Sequence, residues 1–472
     1  MPGKEKSELA KKLFYQKYCA WERIGMKEKE EIFKFAEEYR NFLTNSKTER
    51  EAVKEIIKFA ESNGFRRIEK IKQLKEGMKV YVVHKEKSAI LCVLGKEPLQ
   101  NGIQIIASHI DAPRIDLKQN PLSEDEDTKL ALLRTHYYGG IKKYQWVSTP
   151  LALYGRIITK DGKILDLKIG EKPDEPVFTI TDLLPHLWQK EQKERKTSEV
   201  IKGEEMLILC GSIPIKEEVE VKEKVKLAIL DCLNKQYGLV EEDFVSSEIE
   251  AVPQGEAREV GFDKSMIGGY GQDDRICAYT SLRAIAEMKI PQRTALAIFV
   301  DKEEIGSEGN TAMRSKFLEE FLSNLEISEA VLRRCLFKSN AISADVNAGV
   351  EPNFKQVHEL TNAAKIGYGV VITKFTGMAG KAMSSDANAE YVGWIRRIFN
   401  SCNVCWQIAE IGKVDEGGGG TVAKYLARYG MNVIDCGPPL LSMHSPFEVS
   451  SKVDIFSSYQ AYKTFYEAKK FL

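Results

Sequence analysis

Four short stretches of the chain concentrate residues that do chemistry: Ser108-His109-Ile110-Asp111, Gln272-Asp273-Asp274-Arg275, Asp301-Lys302-Glu303-Glu304 and Met443-His444-Ser445. Asp345, inside Ser343-Ala344-Asp345-Val346, joins them. Together they offer two imidazoles and several carboxylates, most of them at or near the end of an apolar run. That donor set suits two divalent metal ions. Zinc takes imidazole nitrogen and carboxylate oxygen at roughly 2.0–2.2 Å and keeps a position open when it is catalytic. Two such ions ~3.5–4 Å apart share a carboxylate and a hydroxide, polarising a carbonyl while presenting the nucleophile. A carboxylate left over serves as a base, and the set reads as a two-zinc hydrolase. Cobalt or manganese suits the same mixed donors. Asp111, two residues after His109, is placed to accept the proton on the second ring nitrogen and fix the tautomer. Glu303 and Glu304 are adjacent, so on a loop one can bind metal while the other faces the water.

Taken singly, each residue has a blander use, since acids at strand ends commonly cap the next helix. The joint pattern carries the argument, and it depends on the elements behind it. Apolar residues at helical spacing mark 32–43 and 52–59. Strand-like runs follow at 80–83, 89–94 and 103–107, the last delivering His109. In open α/β sheets, ligands bind beyond the carboxyl ends of the strands.

From Pro121 the texture changes. An acidic break, Ser123 to Asp127, gives way to alternating strands at 151–158 and 163–169 with an Asp161-Gly162 turn between them. A lysine-rich helix is expected over 218–235, and the segment closes near Val252-Pro253. The α/β pattern then resumes. It predicts helices over 274–288, 316–325, 387–399, 421–429 and 451–471, with strands over 295–300, 341–344, 368–374 and 431–435. The expected architecture is α/β, with a catalytic domain split into 1–120 and 253–472 around an inserted β-rich domain, 121–252.

Lys plus Arg and Asp plus Glu both total 69 among 472 residues, so no polyanionic partner is called for and nucleic-acid binding has no support. No apolar run is long enough to span a bilayer. The opening MPGKEKSELAKKLFYQ is charged and has no apolar stretch of a secretory signal. Nine cysteines at irregular spacing argue against a disulfide framework, and Cys402-x-x-Cys405 lacks a second pair. A cytoplasmic protein is expected.

In order along the chain, SHIDAPRIDL, QDDR, DKEEIGS, SADVN, GGGGT and PPLLSMHS resemble the aspartyl aminopeptidase (M18) family of metallopeptidases. The inserted segment is similar too, through Tyr138-Gly139-Gly140-Ile141 and Pro185-His186-Leu187. The resemblance implies a zinc-peptidase domain, a mixed sheet flanked by helices, with the insertion serving dimerisation. It implies two Zn2+ per subunit: Asp273 bridging, His109 and Asp345 completing one site, Glu304 and His444 the other. Glu303 is then the general base. His186, from the inserted domain of a neighbouring subunit, reaches the active site of a tetrahedral dodecamer built from dimers. A cis peptide between Asp273 and Asp274 is implied as well.

The implied reaction is hydrolysis of the first peptide bond of substrates with a free N-terminus, through a dinuclear metal-bridged hydroxide. Glu303 takes the proton and returns it to the leaving amine, while the metals and His186 stabilise the oxyanion. Gly418 and Gly419 let the backbone approach the substrate, and Thr421 opens the next helix. Lys381 is the candidate to neutralise an acidic substrate side chain. Against that, members preferring acidic residues carry histidine after the SAD motif, where this chain has Asn347 and Glu351. A glutamate near the pocket repels an acidic side chain. Preference for neutral N-terminal residues is the alternative expectation, and a non-catalytic assembly scaffold the more distant one.

Overall fold

A computed structural model describes residues 8–15, 17–216 and 220–469. The start of the predicted 218–235 helix and the last residues of the predicted 451–471 helix lie outside them, as does half of the charged opening stretch.

The catalytic part is built on a nine-stranded mixed sheet, ordered Arg66–Arg67, Lys79–His84, Ser88–Val93, Ala295–Val300, Gln104–His109, Asn340–Ser343, Asn432–Gly437, Val370–Thr373 and Trp406–Ile408. Four central strands, from Ala295–Val300 to Asn432–Gly437, run parallel. Their registers pair Val300 with His109 and Ser343 with Ala107, so the carboxyl ends finish nearly level. Such strands are buried on both faces, which is why Ala295–Val300 reads as an unbroken apolar run rather than an alternating one.

Successive side chains go to opposite faces. Ala295, Ala297 and Phe299 face one helical layer, while Leu296, Ile298 and Val300 face the other. The first layer comprises Met26–Asn45, Glu49–Ser62, Gln272–Ala286, Ala389–Ser401 and Lys452–Glu467. The second comprises Phe317–Ser323, Glu329–Phe337 and Ala423–Ala427. Met26–Asn45 buries Ile32, Phe35, Ala36, Tyr39, Phe42 and Leu43, the three-to-four spacing of an amphipathic helix. Glu49–Ser62 starts where the Thr48 hydroxyl accepts from the Glu51 amide. Gln272–Ala286 is buried almost throughout and packs on Lys452–Glu467.

The segment between the two halves forms a seven-stranded sheet, ordered Ile164–Ile169, Leu151–Ile158, Ser247–Pro253, Arg114–Glu124, Ala131–Tyr138, Ile208–Gly211 and Thr179–Ile180, with the helix Lys224–Tyr237 against it. The hairpin pairs Ile158 with Ile164 and turns through Gly162 at φ 78°, a left-handed conformation that glycine adopts without strain. The strand Arg114–Glu124 runs through position 120 and starts three residues after Asp111, so this sheet grows directly out of the catalytic edge.

Buried charges join the two parts. Lys87 reaches Glu49 at 2.9 Å and Glu248 at 3.1 Å, while Arg114 lies 3.7 Å from Glu49 and 3.4 Å from Glu250. A third sheet of five short strands pairs Met266–Gly269 with Glu448–Ser451, and that pair draws the Gln272 turn toward the His444 loop. Among the described residues, no helix is long and apolar enough to cross a membrane.

Candidate metal centre

Each chemical residue sits where a strand has just ended. His109 is the last residue of its strand, and Asp345 lies two residues past Ser343. After Val300 the chain turns through Lys302 at φ 66° into the short turn Glu303–Ile305 and leaves it through Gly306 at φ 97°, which presents both glutamates at the sheet edge. Asp273 follows the left-handed Gly271, where a Cβ would collide with the Arg275 side chain, and the Asp273–Asp274 peptide bond is cis. His444 belongs to the loop after Pro439–Leu441.

These residues converge. His109 Nε2 is 3.1 Å from Asp273 Oδ1 and 4.0 Å from Asp345 Oδ1. His444 Nε2 is 3.2 Å from Asp273 Oδ2 and 3.4 Å from Glu304 Oε2. The two oxygens of Asp273 therefore face two different imidazoles. Donors held about 2.0–2.1 Å from one tetrahedral ion stand roughly 3.3 Å apart, close to the spacing of three of these four pairs. Potential ligand groups fall into two overlapping triads, His109–Asp273–Glu304 and His109–Asp274–Asp345. Glu304 Oε1 and both Asp274 oxygens are buried with no hydrogen-bond partner. Burial of so many acids together pushes Glu304, Asp274 and Asp345 well above the ordinary carboxylate range and Glu303 up to about 7. Burial opposes a charge on the imidazoles, yet hydrogen bonding to Asp273 takes His444 up to about 10. The cluster is one that cations would relieve, and its nitrogen and oxygen donors suit zinc.

A second layer fixes these donors. Asp111 is fully buried and lies 3.3 Å from His109 Nδ1. It also accepts the backbone amides of Glu303 at 3.1 Å and Glu304 at 3.2 Å, and the Tyr138 hydroxyl at 2.8 Å. The Asp111 backbone carbonyl also accepts from His109 Nδ1, at 3.1 Å, so this one residue orients an imidazole and holds the turn carrying both glutamates. On the other side, His444 Nδ1 is 2.8 Å from the carbonyl of Gly140, leaving Nε2 toward the carboxylates. Tyr138, the Gly140 carbonyl and the buried Glu448 were not among the residues expected to act here. Tyr138 and Gly140 come from the inserted sheet and its exit turn, and only their place in the Tyr138-Gly139-Gly140-Ile141 match gave any signal.

The aminopeptidase I zinc metalloprotease (M18) family model matches residues 42–466. The chain belongs to this family. It is a metallo-aminopeptidase, a hydrolase acting on peptides. The probable M18 family aminopeptidase 1 of Clostridium acetobutylicum is 51% identical over 455 residues, covering 94% of this chain and 97% of that one. The crystal structure of the M18 aminopeptidase from Thermotoga maritima superposes with a TM-score of 0.92 at 46% identity, covering 96% of this chain and all of that one. The S. cerevisiae mApe1 dodecamer structure shares the fold, with a TM-score of 0.72 at 19% identity over 92% of this chain and 96% of that one.

Other expected residues of this M18 aminopeptidase lie apart from the cluster. His186 is exposed, and none of the cluster's hydrogen bonds or ion pairs involves it. Lys381 lies 4.0 Å over the Phe375 ring and 3.2 Å from Asp386. Gly418 has φ 135°, and a Cβ there would meet the Gly377 carbonyl, so close approach of two segments demands glycine. The Gly419 carbonyl accepts from the Gly377 amide at 3.0 Å, and the Thr421 hydroxyl accepts from the Ala423 amide at 3.4 Å. Asn347 donates to Thr373 at 2.8 Å, and Glu351 accepts the Ser442 amide at 2.9 Å, two residues before His444.

Proposed function

We propose that this M18 aminopeptidase removes the N-terminal residue of peptides with two zinc ions per subunit. Asp273 would be shared by the two ions, with His109 and Asp345 holding one and Glu304 and His444 the other. The observation that carries this reading is the facing of Asp273 Oδ1 and Oδ2 toward separate imidazoles. Zinc, when bound, supplies Lewis-acid polarisation of the scissile carbonyl and an acidified water. Glu303 carries the proton from the attacking water to the leaving amine. Its carboxyl, pushed by burial to about 7, is matched to both halves of that task near neutral pH. Asp111 keeps His109 and the Glu303 turn in register with one another.

The seven-stranded inserted unit serves dimerisation in a cytoplasmic homo-oligomer, a tetrahedral dodecamer of dimers. The dodecameric mApe1 relative supports this. So do Leu183, Leu184 and Leu187, apolar and exposed on either side of His186, where a neighbouring subunit would cover them. In that assembly His186 of the partner subunit reaches the oxyanion.

The preferred N-terminal residue is neutral rather than acidic. Glu351 is anchored beside the His444 loop, and Lys381, the candidate cation, already has Asp386 as partner. Turnover of aminoacyl chromogenic substrates bearing Asp, Glu, Leu, Met or Lys, with N-acetylated controls, tests the whole reading. Chelation followed by zinc or cobalt add-back completes the design. Metal-dependent cleavage of free-amine substrates, fastest for Leu or Met, is expected. Cleavage of the acetylated controls would refute the aminopeptidase mechanism, and fastest turnover of Asp or Glu would refute the neutral preference.

A further inference from the structure

We infer that Glu448 is a positioning residue whose single carboxylate sets the separation between Asp273 and His444. The inference rests on the metal-centre reading above. Glu448 is 1% exposed, at the start of the strand Glu448–Ser451 and in register with Gly269, just ahead of the Gly271 turn. Its Oε1 accepts the His444 backbone amide at 2.7 Å. Its Oε2 accepts the amides of Gln272 at 2.6 Å and Asp273 at 3.2 Å. One side chain therefore grips the backbone of two donors that come from segments far apart in sequence.

The neighbourhood tightens that grip. The Gln272 side-chain amide donates to the Glu448 carbonyl at 2.6 Å, and the hydroxyls of Ser450 and Tyr39 donate to Gln272 Oε1 at 2.5 and 3.2 Å. All three hydrogen bonds to the carboxylate come from backbone amides rather than from a lysine or arginine. A buried carboxyl group is costly to place, and an ordinary structural position is filled more cheaply by a neutral residue. What a carboxylate alone offers is an acceptor at both ends. Donors around a metal need placement to within about 0.5 Å, and here the side chains of Asp273 and His444 already stand 3.2 Å apart.

Two variants of the full chain test this. In Glu448→Gln, the amide NH2 faces a backbone N–H whichever way it turns, so one of the two segments loses its anchor. In Glu448→Asp the carboxyl group stays but is one methylene too short to span both. The readout is the zinc-binding midpoint against a chromogenic chelator, with circular dichroism to certify folding and the visible spectrum of the cobalt-loaded protein to report ligand geometry. Both folded variants are expected to bind zinc about 10–100-fold more weakly than wild type, with kcat recovering at saturating zinc and KM unchanged. A merely structural role lowers the folded fraction and leaves the midpoint of the folded protein alone. A wild-type midpoint in either folded variant overturns the inference, and if the glutamine variant does not fold, the aspartate variant decides. A wild-type chain that takes up no zinc overturns the metal-centre reading and this inference together. A wild type that binds zinc no better than the variants overturns this inference alone.

Discussion

The Tyr138 hydroxyl donates to Asp111 Oδ2 at 2.8 Å, and this bond joins the inserted sheet to the catalytic edge. Asp111 spends its other contacts on His109 and on the amides of Glu303 and Glu304. The insertion is thus part of the scaffold of the metal centre, in addition to any role in assembly. Tyr138→Phe removes the bond and nothing else of size. A hydrogen bond to a charged group contributes about 1.5–3 kcal/mol, so kcat/KM should fall on the order of tenfold with little change in oligomer size. Steady-state kinetics beside sedimentation analysis checks it, and a phenylalanine variant with wild-type kcat/KM would remove Tyr138 from the site.

Glu303 and Asp273 should fail in different ways. Glu303→Gln removes the proposed proton carrier and leaves the proposed metal donors, so kcat should drop by about 10²–10⁴-fold with zinc still bound. Asp273→Ala removes the carboxylate that faces both imidazoles, and zinc itself should be lost. Metal analysis of both purified variants separates the two outcomes; a Glu303→Gln enzyme with near-normal turnover would assign the base elsewhere.

Zinc uptake should release protons. Hydrogen bonding to Asp273, against burial, takes His444 up to about 10, and burial takes Glu304 and Asp345 well above the usual range. Near pH 7 the cluster without a cation therefore holds protons that bound zinc must displace, because only deprotonated donors coordinate. Apparent affinity should rise as pH increases from 6 toward the value near 10 for His444. Calorimetry in two buffers of different ionisation enthalpy measures the release, and pH-independent affinity across that interval would contradict it.

The buried charges between the two parts should matter for stability. Burial works against a charged Glu49, but Arg114 and Lys87 hold its carboxyl well below the usual range. A depressed acid contributes stability that is fully present above the ordinary carboxylate range and is lost as pH falls below that range, through the depressed value of the folded state. Glu49→Ala strands part of the charge of Lys87 and Arg114, which keep Glu248 at 3.1 Å and Asp116 at 2.7 Å as partners. A cost on the order of 3 kcal/mol is expected in denaturant titration. A change under about 0.5 kcal/mol would show that the remaining acids suffice.

Much of this was legible in one dimension. The central strands are short apolar runs, and their identity follows from hydrophobicity that a parallel sheet buries on both faces. The candidate metal-binding residues after those runs come together because parallel strands end at one edge and whatever follows them is brought there. His109, Glu304 and Asp345 were readable for that reason, whereas Asp273 and His444 follow strands of the five-stranded sheet and were singled out by the motifs of the family resemblance.

Only the tertiary structure decided how those donors are aimed. Glu448 sits four residues after His444 with no local pattern to mark it, and it acquires its partners when the Met266–Gly269 strand pairs with its own. Tyr138 ends the strand Ala131–Tyr138 and the Gly140 carbonyl lies in the bend after it, and they reach Asp111 and His444 only once the seven-stranded sheet is folded. Lys381 could be named from its charge, but its pairing with Asp386 is a matter of loop conformation. Residue chemistry and periodicity are local properties and can be read from the chain. A hydrogen bond between residues hundreds of positions apart depends on angles and distances that only the assembled sheets define.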